Sequence, residues 1–356
     1  MATTGGRTTT GPAGAVASGT SNANVSQRED LANFITMITR EETPFLSSIG
    51  KSKATAIYHE WQTDELASPG NSKLVDGADF AAPGASQSEG GAAFNTVGPD
   101  RTRLGNYTQI NGKTIAVSGT RRAVDQAGVA DEYAYQLKKR GTELRRDVEH
   151  DLIHGYQVAN GSGTRTMGGF QSFINSEDTC EYASGSALSA ANQAKGTHAP
   201  TLDTVANRAA LSLSDIDAVM QKIYEQGGKA TKIMLSPKLR RDFSDLMVTD
   251  SGVRRNIDSD GKLRQSVDIY MSDFGDLMVV PNYIMGLQTN DGIVAAEKKD
   301  SCALVYDPQW FAHATLRPLA EVDVGQKGDS TVGMLVEETT FEVKNPKGCG
   351  AIYGLK

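Results

Sequence analysis

His150 and His154 stand four residues apart in the run HDLIH, with Asp151 between them. On a helix that spacing puts two imidazoles one turn apart on one face, as zinc ligation requires, and Asp151 occupies the place where zinc peptidases carry a catalytic glutamate. Zinc hydrolysis also needs a third ligand and a dry pocket. The remaining histidines, His59, His198 and His313, have no helical pairing with this pair. Measured from Leu137 on the apolar stripe of the same segment, both imidazoles fall more than a quarter turn away, beside Glu143 and Arg146, so they are expected in solvent on a charged face. A zinc hydrolase using His150 and His154 is therefore the weaker reading. The expected inventory of catalytic, cofactor-binding and metal-binding residues is empty.

Other polar groupings carry less chemistry. Lys138, Lys139, Arg140, Arg145 and Arg146 could touch phosphates, but they alternate with Glu143, Asp147, Glu149 and Asp151. That is the pattern of a helix face laced with i,i+4 pairs such as Arg145 with Glu149, and it predicts a solvated or intersubunit surface. The run NGSGT at 160–164 has the glycines of an anion nest, yet it follows a helix, whereas helix N-termini make such sites. Cys180, Cys302 and Cys349 are odd in number and lack metal-ligand spacing, so they read as structural thiols. The chain has no phosphate loop ending in Gly-Lys-Ser/Thr, no dinucleotide fingerprint and no nucleophile elbow.

The elements that carry these residues begin with an arm. Residues 1–27 are almost all Gly, Ala, Thr, Ser and Asn, with Arg7 the one charged side chain, and such a stretch has too little apolar surface to order itself alone. DLANFITMIT at 30–39 places Leu31, Phe34, Ile35 and Ile38 at helical spacing, and Phe45, Leu46 and Ile49 continue an apolar patch beyond Pro44. AIYHEWQTDEL at 56–66 and RLGNYTQINGKTIAVS at 103–118 read as extended. The Gly- and Pro-rich segment between them makes the pair a long projecting hairpin. From Val124 to Ala159 a stripe through Ala130, Tyr133, Ala134, Leu137, Gly141, Leu144, Val148, Leu152 and Gly155 predicts one helix of roughly 36 residues, about 54 Å long. Its on-stripe glycines, Gly141 and Gly155, would let another backbone approach.

After one apolar island, MGGFQSFI at 167–174, the texture becomes α/β. LSLSDIDAVMQKIYEQGG is a helix with Ser214 as expected N-cap, KATKIMLSP a strand, and SPKLRRDFSDLM a helix capped by Ser236 with Pro237 first. The remaining segments to the C-terminus are strand-rich.

Over 356 residues, 36 Lys and Arg against 43 Asp and Glu give a formal charge of -7, which disfavours a chain that grips nucleic acid and permits one that encloses it. No window approaches the roughly 20 apolar residues that span a bilayer, and the first 30 residues lack the features of a signal peptide, so folding in a cytoplasm is expected.

The order of parts, a loose arm, a short amphipathic helix, a projecting hairpin, a very long helix, an α/β region and terminal strands, resembles the α+β capsid fold of tailed bacteriophages of the Hong Kong ninety-seven type, shared by herpesviruses and encapsulins. DLANFITMITREETPFLSSIGKSKA at 30–54 with YHEWQTDEL at 58–66 is similar to the start of one branch of phage major capsid proteins. QWFAHATLRPL at 309–319 with TTFEVKNPKGCGAIYGL is similar to that branch's close. The resemblance implies an N-terminal arm at 1–55, an extended hairpin (E-loop) at 56–120, a peripheral domain with the spine helix from 121–200 and 305–356, and an axial domain at 201–304. It further implies self-assembly into hexamers and pentamers of an icosahedral or prolate head, a portal partner, and double-stranded DNA enclosed without sequence recognition in a virion built in the host cytoplasm. An encapsulin-type compartment is the alternative of the same fold. Some members lock their shells by a lysine–asparagine isopeptide bond; Lys73 and Asn345 could supply the reactants here, but no glutamate is assignable as its catalyst, so no bond is expected. Residues 1–29 are too short for a fused scaffolding domain of roughly a hundred residues. A separate scaffolding protein or none is therefore expected, with decoration proteins possible partners.

Overall fold

The computed structural model describes residues 40–66, 101–124, 128–158, 164–176, 178–183, 209–249, 268–286 and 302–355. The helix expected at 30–39, the hairpin tip at 67–100 with Lys73, His198 and residues 160–163 of NGSGT lie outside these residues.

The first helix, α1 (Pro44–Ser48), leads into β1 (Gly50–Lys53), then β2 (Tyr58–Thr63) and β3 (Thr102–Tyr107) pair antiparallel as a two-stranded ribbon. The ribbon continues into β4 (Gln109–Ser118), the short α2 (Gly119–Ala123) and the long α3 (Glu132–His154). The extended stretch expected at 103–118 thus divides at Thr108, a buried residue whose N–H donates to Ile57 O at 2.9 Å, so that β3 keeps β2 while β4 joins another sheet.

The expected 36-residue helix is shorter. It has 23 residues, about 35 Å at the usual rise. Asp131 starts it by accepting from Tyr133 N at 3.0 Å, and Gly128 with φ +84° separates it from α2. Gly155 ends it, and there the expected close approach is real: a Cβ would meet Asp151 O at 2.4 Å and Met167 O at 2.7 Å. At Gly141 nothing comes nearer than the Leu335 side chain at 4.0 Å.

The apolar island forms α4 (Phe170–Phe173), and residues 167–175 are buried throughout. There follow β5 (Cys180–Tyr182), α5 (Leu213–Glu225), β6 (Lys232–Leu235), α6 (Pro237–Thr249), β7 (Ile269–Ser272), β8 (Gly275–Pro281) and β9 (Cys302–Tyr306). The N-cap of α5 is Ser212 instead of Ser214: Ser212 Oγ accepts from Asp215 N and Asp215 Oδ2 from Ser212 N, both at 3.2 Å, a reciprocal box that satisfies two donors at once. The long hairpin of β10 (Phe311–Lys327) and β11 (Ser330–Val343) and the terminal β12 (Gly350–Tyr353) complete the chain.

One sheet has the order β1-β10-β11-β4 and a second the order β5-β12-β9-β6-β8-β7. Strand β9 (CALVY) is buried at every residue, and its side chains alternate between two cores, as period-two geometry requires of a strand covered on both faces. Cys302, Leu304 and Tyr306 join a core with α1, α3, α4 and the four-stranded sheet, while Ala303 and Val305 join one with α5 and α6. Pairing crosses the expected domain limits: β1, counted with the arm, and β4, counted with the hairpin, lie in the four-stranded sheet, and β12 lies beside β9 in the six-stranded one.

Candidate functional site at the long helix

The C-terminal half of α3 packs into a core shared with residues of both sheets, α1 and α4, so more than one of its faces is covered. Val148, Leu152 and Ile153 are buried, and so is Glu149, at 0% exposure. Helix α1 begins with Pro44, and its N-cap Thr43 makes no side-chain cap bond, which leaves the next amides without an intrahelical acceptor. Glu149 supplies it. Phe45 N donates to Oε1 at 2.9 Å and Leu46 N to Oε2 at 2.6 Å. Asn282, just past β8, donates through Nδ2 to Oε1 at 2.8 Å, while its own Oδ1 accepts from Ile284 N at 2.8 Å. One carboxylate therefore ties the start of α1, the long helix and the six-stranded sheet together. Burial pushes its carboxyl above the usual value, against the pull of the three donors.

Glu149 was expected on a solvated or intersubunit face paired with Arg145; the structure corrects that, since it is buried within the subunit. The histidines are corrected likewise. They are half-buried, with ring centroids 5.0 Å apart. His150 Nδ1 lies 3.3 Å from Asp151 Oδ1, and His154 Nδ1 lies 3.3 Å from Gln171 Oε1, whose Nε2 donates to Cys302 Sγ at 2.8 Å. They belong to the packed junction. No group of three His, Cys, Asp or Glu suited to holding a metal occurs among the described residues. Of the basic cluster, Lys138, Lys139 and Arg145 are exposed, and Arg140 pairs with Glu143 at 2.6 Å. The thiols of Cys180, Cys302 and Cys349 are all buried, and burial pushes that of Cys180 up to about 12. Asn345 accepts from Lys347 N at 3.0 Å as the cap of a short turn.

A second carboxylate fixes the segment after α3. Glu338, 5% exposed on β11, accepts from Thr108 Oγ1 at 2.9 Å and Arg317 Nε at 2.7 Å, and also from Arg165, whose Nε holds Thr108 O. Replacing Glu338 by Gln is expected to cost about 2–3 kcal/mol, because two guanidinium groups lose their counter-charge, one of them 13% exposed. Urea unfolding beside a Thr108→Val control would show it; a loss no larger than the control's would contradict it.

Across β1 and β10, Lys51 pairs with His313, which is 7% exposed. Burial, aided by the Lys51 charge, lowers the imidazole from 6.5 to about 4. The folded state thus resists protonation that the unfolded chain accepts, so stability is full above the unfolded value and falls as pH drops from 6.5 toward 4, by up to about 3 kcal/mol. A His313→Leu variant should lose less stability than the parent between pH 7.5 and 4.5, and equal losses would refute the assignment.

Among solved structures, the chain is similar to the capsid of Myoviridae phage XM1, with TM-score 0.56 at 12% identity, covering 92% of this chain and 97% of that one. It is likewise similar to the SrpI encapsulin of Synechococcus elongatus, with TM-score 0.54 at 8% identity and 93% of each chain. The arrangement of hairpin, long helix and two sheets is the α+β capsid fold of the Hong Kong ninety-seven type. Residues 8–356 match the SU10 major capsid protein, and the chain belongs to that family. The major capsid protein of Escherichia phage Phieco32 is 29% identical over 260 residues, 64% of this chain and 68% of that protein. The chain is accordingly a major capsid protein of a phage head, structural in role.

Proposed function

We propose that this chain assembles as hexamers and pentamers into an icosahedral or prolate head that encloses double-stranded DNA without reading its sequence. The match of residues 8–356 to a family of major capsid proteins carries the reading. The charge of -7 agrees with a wall that encloses DNA without gripping it. The arm is 1–55, the projecting hairpin 56–120, the peripheral domain 121–200 with 305–356, and the axial domain 201–304; head-to-tail contacts of arm and hairpin with neighbours close rings, and many modest contacts sum to a stable shell. A portal occupies one vertex, a scaffolding protein guides assembly in the host cytoplasm, and decoration proteins can add outside.

The test is the content of particles purified from infected cells. Nuclease-protected double-stranded DNA of one defined length is the expected result. Particles holding a protein cargo and no DNA would overturn the proposal in favour of an encapsulin-type compartment. Boiling the same particles in denaturant should release single chains only, since no glutamate is assignable as the catalyst of a bond between Lys73 and Asn345. Covalent ladders would contradict that.

A further inference from the structure

The alternation of charge along α3 that argued against phosphate contact in the sequence does not survive folding. Each carboxylate is taken by a partner of its own. Glu132 is held by Arg121 at 3.1 Å and Gln136 at 2.8 Å, Glu143 by Arg140 at 2.6 Å, Asp147 by Lys113 of β4 at 2.5 Å, and Asp151 by Gln109 at 2.5 Å. Asp131 caps the helix, and Glu149 is buried. Among the described residues Lys138, Lys139, Arg145 and Arg146 make no ion pair, and the first three are exposed.

At 3.6 residues per turn these four cations fall within an arc of about 120°, running from Arg145 through Lys138 and Arg146 to Lys139, while Glu143 and Asp147 lie beyond it. The two lysines are the least engaged, since Arg145 lies in the field of Glu337 on β11 and Nε of Arg146 is buried. The sheet under α3 has a second face of different character. Leu335 of β11 and Lys113 of β4 are cross-strand partners that both meet the helix, at Gly141 and Asp147. By alternation Thr114 and Ala116, with their partners Met334 and Val332, point away from it, and so does Val322 opposite Met334. None of these is charged. This part of the subunit therefore offers cations on its helix side and uncharged surface on the other, and only the first suits a polyanion.

We propose that the basic face of α3 around Lys138 and Lys139 touches the phosphates of the packaged double-stranded DNA, so that the helix side of the subunit lines the lumen, a step that rests on the shell reading above. Duplex DNA carries about one negative charge per 1.7 Å of its axis, so any wall that touches it gains by presenting cations there. Lys138 and Arg145 are two turns apart, about 10 Å along the helix, and Lys139 and Arg146 repeat that step beside them. Contacts to phosphate carry no information about the bases, which suits a container that does not read sequence. The net charge of -7 keeps the contact local to this face.

The experiment is formaldehyde crosslinking of DNA-filled heads purified from infected cells, because formaldehyde joins a lysine amine to a base only where the two nearly touch. After digestion with nuclease and protease, mass spectrometry locates the peptides that carry nucleotides. The expected result is adducts at Lys138 and Lys139, with a several-fold fall in crosslinked DNA per head when Lys138→Gln is combined with Lys139→Gln. Filled heads without adducts at either lysine, or in which both are joined to peptides instead of nucleotides, overturn the proposal alone. So do filled heads of the double variant whose crosslinked DNA is unchanged. The adduct map of unmodified heads decides the matter even where the variant forms no heads. Heads that hold no DNA overturn the reading of the shell as a DNA container, and this proposal with it.

Discussion

Replacing Glu149 by alanine is expected to lower the stability of the subunit by about 3–5 kcal/mol, since three buried donors lose their acceptor and each such loss costs about 1–3 kcal/mol, less the relief of no longer burying a carboxylate. The donors are Phe45 N, Leu46 N and Asn282 Nδ2, and Glu149 and Asn282 are both at 0% exposure. Glu149→Gln keeps the shape and one acceptor oxygen but turns an amino group toward a donor, so about half the loss should remain. Urea unfolding gives the magnitude. Hydrogen exchange at Phe45 and Leu46 gives the location, because their protection should fall more than that of β9, which is buried on both faces. A Glu149→Ala variant within 1 kcal/mol of the parent, with unchanged exchange at α1, would mean that the carboxylate ties nothing together.

Phe45→Ala should cost a similar amount, about 3–5 kcal/mol, by a different mechanism. The ring is fully buried, with centroids 5.3 Å from Tyr306, 5.8 Å from Phe311 and Phe341, and 6.1 Å from Phe170. These rings come from α4, the start of β10, the end of β11 and the residue closing β9, so truncation opens a cavity where both sheets meet the long helix. Phe45→Leu refills most of it and should cost about 1–2 kcal/mol. Because either change frees α1, the Glu149→Ala and Phe45→Ala double variant should lose less than the sum of the singles by at least about 1 kcal/mol. Strict additivity would show that the amides and the ring hold α1 independently.

What was legible beforehand follows from how local each signal is. The helices α5 and α6, the strands β2 and β6 and the Ser236–Pro237 cap are written in periodicity and capping residues within a dozen positions. The N-cap slipped by two residues because Ser212 and Ser214 are equally competent, each with an aspartate three residues on, Asp215 and Asp217; in the structure Asp215 closes the box with Ser212 while Asp217 accepts from Tyr270 Oη. The long helix was overextended because Ala130, ahead of the Asp131 cap, and Gly155, which ends the helix, both fit the stripe, although Ala130 is exposed.

Glu149 was missed for a physical reason. It lies about 120° from Leu137 around the helix, among charged residues, and what covers it comes from α1 and Asn282, more than a hundred residues away in sequence. Two weaker signals pointed to it. Leu152 and Ile153 are adjacent and both apolar, so a single stripe cannot bury both. Pro44 opens a helix whose next amides had no local acceptor, and a buried carboxylate is a natural partner for such a pair.

The central claim, that this chain is a shell subunit, is tested most directly by negative-stain electron microscopy of the expressed full-length protein beside its size-exclusion profile. The account predicts closed shells, tubes or rings of five or six subunits, with the protein eluting accordingly. A monodisperse monomer that stays monomeric when produced together with the other head proteins of its phage would contradict it.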